Sequence, residues 1–158
     1  MASKAVQIVL DKDSSIEQIQ QFMIQNKLGL DCSGFIYRML DFLLLKTKGK
    51  RLKSAVGSHV GNTNVQKLTS LRLSEKIEDF TQVKPGDLVK LNSHKEIPHV
   101  FVVLENLNGI IKYAHNGITQ LNGVQTGEFR LDNIQEDLPY YTFNPKNGDG
   151  FYRLKALI

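Results

Sequence analysis

The feature that most constrains this chain is the run FIYRMLDFLLL, residues 35–45, entered through Asp31-Cys32-Ser33-Gly34. Phe35, Ile36, Met39, Leu40, Phe42, Leu43, Leu44 and Leu45 are apolar on nearly every side of a helical repeat, as in an element buried against several neighbours. Asp31 stands where an N-cap would accept the unpaired N–H groups of the first turn. The spacing therefore predicts a central helix opening at Asp31, with Cys32 in its first turn.

Upstream, DSSIEQIQQFMIQNKLG carries Ser14-x-x-Glu17, a capping-box pattern. Apolar residues follow at Ile16, Ile19, Phe22 and Met23 before Gly29. That predicts a one-sided amphipathic helix. Residues 49–81 carry weaker signals: GSHVGNTNVQ reads as loop and SLRLSEKIEDF as a short helix or irregular segment.

From Val83 the texture changes. KPGDLVKL is a Pro-Gly turn feeding a strand over Leu88 to Leu91. HVFVVLE, GIIKYAH, GVQTGEFRL and GDGFYRLKAL follow, rich in β-branched and aromatic residues and bounded by turn signals. Helices first and antiparallel strands afterwards predict an α+β fold. At 158 residues, 41% of them hydrophobic, the chain suits a single domain over residues 1–158.

The formal charge of +4 is concentrated in Lys46, Lys48, Lys50, Arg51 and Lys53. A basic run after a helix ordinarily complements the negative end of the helix dipole. The aromatics are not interleaved with these cations as a base-stacking surface requires, so no nucleic-acid partner is expected. The most apolar segment is interrupted by Arg38 and Asp41 and is too short for a membrane span. Lys4 before the brief apolar stretch Ala5 to Leu10 does not make a secretory signal. The expectation is a cytoplasmic protein, or one exported by a non-classical route or within a larger assembly.

Cys32 is the only cysteine, so no internal disulfide can form, and no zinc-type Cys/His spacing is present. No cofactor or metal is expected. A thiol in the first turn of a helix meets the positive end of the dipole and free N–H groups, which stabilise the thiolate. The same residue could also serve as a small apolar filler. Two histidines give it context. In PHVFVVLENLNGIIKYAHNG, two strands form a hairpin; an odd loop centred on Leu107 would set His99 opposite His115, and an even loop would set it opposite Asn116. The alternation Ile111, Tyr113, His115 favours the first. A thiol, an imidazole and a third polar residue holding the imidazole are the parts of nucleophilic cysteine catalysis. His59 and His94, in expected loops, are left outside the site.

LDCSGF, then KPGDLV, then HVFVVLENLNGIIKYAH together resemble the NlpC-type cysteine peptidases, bacterial cell-wall hydrolases with a trimmed papain-like core. The resemblance implies N-terminal helices and a central buried helix packed on an antiparallel sheet. It implies Cys32 as nucleophile, His99 as general base and His115, or alternatively Asn116, as the residue that orients it. The Cys32 N–H would be one oxyanion donor, with Asp31 and Ser33 shaping the cleft and Asp31 serving chiefly as cap. The implied activity is hydrolysis of an amide bond, in peptidoglycan stem peptides or another peptide substrate, through an acyl-enzyme. The family's tyrosine upstream of the cysteine is missing, since the first tyrosine here is Tyr37, which leaves a second oxyanion donor unassigned. An acyltransferase, deamidase or effector using the same residues is the neighbouring alternative, and an inactive binding module of the same fold is another. Oligomeric state is not legible.

Overall fold

The computed structural model describes residues 31–117 and 123–158 of the chain. Asp31–Ile158 is one compact unit, divided from Met1–Leu30, and the description below is of that unit. The helix expected over residues 14–29 lies outside the described residues.

Helix α1, Cys32–Lys48, begins where the sequence places it: the Asp31 carboxylate accepts the Gly34 N–H at 2.6 Å. It ends at Gly49, whose N–H bonds the Leu45 carbonyl at 3.1 Å, with Lys46 and Lys48 in the last turn. Ile36, Leu40 and Leu44 form its fully buried stripe, one turn apart. The expectation of burial on nearly every side does not hold. Phe42 is 61% exposed, and Met39 and Leu45 are 37% and 40% exposed, because α1 lies on the sheet with one face. Asp41 is the polar residue drawn inward: it accepts the Leu52 N–H at 2.7 Å and pairs with Arg51 at 2.7 Å, fixing the short helix α2, Leu52–Val56. Helix α3, Val65–Leu68, follows.

The strands are β1 (Ser74–Ile77), β2 (Leu88–Ser93), β3 (Pro98–Leu107), β4 (Ile110–Asn116), β5 (Val124–Arg130), β6 (Tyr141–Thr142) and β7 (Gly150–Leu154), with a short helix α4 (Ile134–Asp137) before β6. They form one antiparallel sheet in the order β1-β7-β2-β3-β4-β5, with β6 paired to β2. The fold is α+β, as expected. Strand β1 falls within the segment read as helical or irregular. Its sequence, SEKI, is mostly polar because it is an edge strand paired only to β7.

Both faces of the sheet are buried. On the α1 side Cys32, Ile36 and Leu40 pack with Leu88, Val100, Val102 and Ala114. On the other side Val89, Leu91, Phe101, Val103, Ile111 and Phe129 form a second core. This explains why HVFVVL reads as a continuous apolar run and not an alternating one. The Lys84-Pro85-Gly86-Asp87 turn is locked by Asp87, 1% exposed. Its carboxylate accepts the Lys84 N–H at 2.8 Å and takes two bonds from Arg153 at 2.7 and 2.8 Å, joining the start of β2 to β7.

Candidate functional site

The hairpin turn is Asn108-Gly109, both with positive φ (52° and 85°), the two-residue geometry whose twist matches antiparallel strands. The turn is therefore not centred on Leu107. Pairing runs from Leu107 with Ile110 to Glu105 with Lys112, then slips at a bulge around Leu104 and resumes at Val103 with Tyr113 and Val102 with Ala114. One further step sets Phe101 opposite His115. Neither sequence-based register is correct: His115 is the diagonal neighbour of His99 on the same face, a separation that long side chains still span.

The two imidazoles do meet. His99 Nε2 and His115 Nδ1 lie 2.9 Å apart, one donating and the other accepting, with the rings nearly perpendicular. Both residues are 6% exposed. Alternation along β4 turns Asn116 to the face opposite His115.

Aromatic rings enclose the pair. Phe101 packs 5.3 Å from His99 and 4.6 Å from His115, centroid to centroid, and Tyr113 stacks on Phe101 at 4.4 Å. Tyr141 stacks on His99 at 5.3 Å with 27° between the planes. Burial holds both imidazoles far below the usual histidine range, to about 4, and the neighbouring His115 adds to the effect on His99. At neutral pH the pair is uncharged.

Cys32 sits at the first residue of α1 and is 5% exposed. The N–H groups of Val100, Ser33 and Cys32 itself favour its thiolate, as a helix start should. Burial outweighs them, and the charge of Asp31 adds to burial, so the thiol is pushed up from its ordinary value. The expected thiolate stabilisation is thus overturned: the resting sulfur is a neutral thiol.

Cys32 belongs to the core on the α1 side, whereas His99 shares its face with Phe101, in the opposite core. The thiol meets β3 at the Val100 N–H, so the sulfur and the His99 imidazole flank one peptide unit, His99–Val100.

Asp31 caps α1 and accepts the Ser33 hydroxyl at 2.9 Å. Ser33 Oγ also lies 3.2 Å from the Thr63 carbonyl, and Thr63 bonds Ser58 at 2.9 Å. Ser33, 3% exposed, thus ties the 58–63 segment to the helix start. His59 opens an exposed turn before Val60, and His94 lies in the exposed β2–β3 turn against Tyr140.

Sequence reasoning misses Tyr141. Its strand has two residues and no periodic signal, and its place over His99 comes from the pairing of Ser93 with Tyr141. Among the described residues no group of three or more His, Cys, Asp or Glu side chains is arranged to hold a metal ion, and no helix is long and apolar enough to cross a membrane. No family model, curated protein or solved structure matches the chain.

Proposed function

We propose that the chain is a papain-like cysteine hydrolase of the NlpC type, cleaving an amide bond in peptidoglycan stem peptides by way of an acyl-enzyme on Cys32. The observation that carries the reading is the His99–His115 hydrogen bond, 2.9 Å long, beside the peptide whose N–H faces the Cys32 sulfur.

With His99 protonated on Nε2 and donating to His115 Nδ1, the lone pair on His99 Nδ1 is the basic site. Because thiol and imidazole are both neutral at rest and lie on either side of the His99–Val100 peptide, proton removal accompanies attack by relay: Sγ bonds the substrate carbonyl carbon as its proton passes through one water at the strand end to His99 Nδ1. The tetrahedral oxyanion is met by the Cys32 N–H at the start of α1. The imidazolium returns the proton to the leaving amine. Water, deprotonated by the same nitrogen, then releases the acid and restores the thiol. His115 fixes the ring of His99 through their hydrogen bond.

The test is digestion of purified peptidoglycan with fragment mass analysis, comparing the natural chain with Cys32→Ala and His99→Ala. Fragments cut at an amide bond, lost in both variants, support the reading; identical digests from all three refute it.

One observation favours a second reading. A thiol 5% exposed, in the core opposite the imidazoles, suits a binding module that retains the fold without hydrolysis. Such a module keeps its ligand affinity in the Cys32→Ala variant and digests nothing.

A further inference from the structure

We infer that Tyr141 is a positioning residue for His99, its ring acting as a lid that holds the imidazole in the one orientation from which Nε2 reaches His115. The inference rests on the reading of His99 as the base.

Three observations carry it. The Tyr141 ring lies over the His99 ring at 5.3 Å and 27°, while it stands edge-on to Phe101 (5.1 Å, 88°) and to His115 (6.2 Å, 85°). Phe101 packs edge-on to His99 at 5.3 Å, so the imidazole has an aromatic wall from β3 and another from β6. Rotation of His99 about its side-chain bonds would drive it into one of them. The ring of Tyr141 is itself held through its backbone. Its N–H bonds the Leu138 carbonyl at 3.0 Å, its carbonyl accepts Gln135 Nε2 at 2.7 Å, and Gln135 Oε1 accepts the Phe143 N–H at 3.2 Å.

The position is also electrostatically suited to a lid. The titratable groups that act on His99 and Tyr141 are His115 and Tyr113 from β4 and Cys32 from α1. Burial, with Tyr113 and Cys32 adding to it, pushes the Tyr141 phenol up to about 12, so the lid carries no charge over the working range. A neutral ring over a neutral imidazole keeps water from the His99–His115 bond without supplying a competing ion pair.

The ring and its hydroxyl are separable. Tyr141→Phe keeps the stacking surface, and Tyr141→Leu removes it. In ¹⁵N-labelled full-length protein, long-range ¹H–¹⁵N spectra report the tautomer and titration midpoint of each histidine without any substrate. Turnover of p-nitrophenyl acetate gives the second readout. The expected result is one His99 tautomer in the natural chain and in Tyr141→Phe. In Tyr141→Leu the tautomers mix, the midpoint rises by about one pH unit or more, and turnover falls by about tenfold or more.

Unchanged histidine spectra in Tyr141→Leu overturn the inference. So does a Tyr141→Phe variant that behaves like Tyr141→Leu, which would place the role in the hydroxyl. Should Tyr141→Leu not fold, Gln135→Ala loosens the same ring from outside the core and is expected to move the His99 midpoint in the same direction; an unmoved midpoint then overturns the inference. Turnover that survives Cys32→Ala, with spectra that still respond to Tyr141→Leu, refutes thiol hydrolysis and leaves the role of the ring standing.

Discussion

His99 and His115 share a hydrogen bond of 2.9 Å although neither residue lies opposite the other in the β3–β4 ladder. The diagonal contact exists because the bulge at Leu104 shifts the register by one residue between the turn and the strand starts. It also buries two imidazoles in neutral form, and that has a thermodynamic consequence.

Stability should fall as pH drops through the histidine range. Each imidazole titrates near 6.5 when unfolded and near 4 when folded, so between these values the unfolded chain binds more protons. The contribution is fully present above about pH 6.5, shrinks on acidification and is gone below about pH 4. The fall from 6.5 to about 4 is worth roughly 3–4 kcal/mol for each imidazole, at about 1.4 kcal/mol for each tenfold change in proton affinity. Urea denaturation at a series of pH values should show this slope in the natural chain and a flatter one in the His99→Gln/His115→Gln double variant.

The thiol should be slow to alkylate in the folded protein. Burial raises the pKa of Cys32 and leaves it 5% exposed. Iodoacetamide labelling of native protein is expected to have its midpoint above the ordinary thiol value of about 8.5, and unfolded protein to label at the ordinary rate. A native midpoint well below that value would show that the helix start dominates after all.

Gly127 should resist substitution on account of Tyr113. A Cβ at this position would lie 2.5 Å from the Tyr113 hydroxyl and 2.8 Å from its ring carbon, and Tyr113 stacks on the Phe101 that packs against both histidines. Gly127→Ala is expected to cost about 1–3 kcal/mol, as overpacking does. In a Tyr113→Ala background the cost should shrink, which a double-mutant cycle by chemical denaturation measures directly.

The Pro-Gly-Asp turn owes its aspartate to stability. Asp87→Ala leaves the largely buried Arg153 guanidinium without its carboxylate and removes the acceptor of the Lys84 N–H. A loss of about 3–5 kcal/mol is expected. Thermal and urea unfolding of this variant should show it, whereas Glu128→Ala, on the exposed edge strand β5, should change stability by less than about 0.5 kcal/mol.

Local signals are the readable ones. Asp31 as a cap, the start of α1 in the Asp-Cys-Ser-Gly stretch and the change from helical to strand texture at Val83 each depend on a few adjacent residues. The approach of His115 to His99 is expected from alternation, yet in the wrong register, since the bulge at Leu104 has no mark in the sequence. Helix α1 looks buried all round because Phe42 and Leu45 are apolar, and composition does not tell which side meets the sheet. The charge state of Cys32 is misread for a similar reason: the helix start is a local property, while the burial that outweighs it is built by Val100 and its neighbours on the sheet. Tyr141 is invisible because a two-residue strand brings it to the site.

The central claim is that His99 takes the proton of Cys32 as the sulfur attacks a carbonyl. The most direct test is to react the natural chain, Cys32→Ser and His99→Ala with p-nitrophenyl acetate and locate the acetyl group by peptide mass analysis. The account predicts acetyl on Cys32 in the natural chain, none at that position in Cys32→Ser, and acylation slowed by about 100-fold or more in His99→Ala. Acylation of Cys32 at an undiminished rate in His99→Ala, or no acetyl on Cys32 in the natural chain, would contradict it.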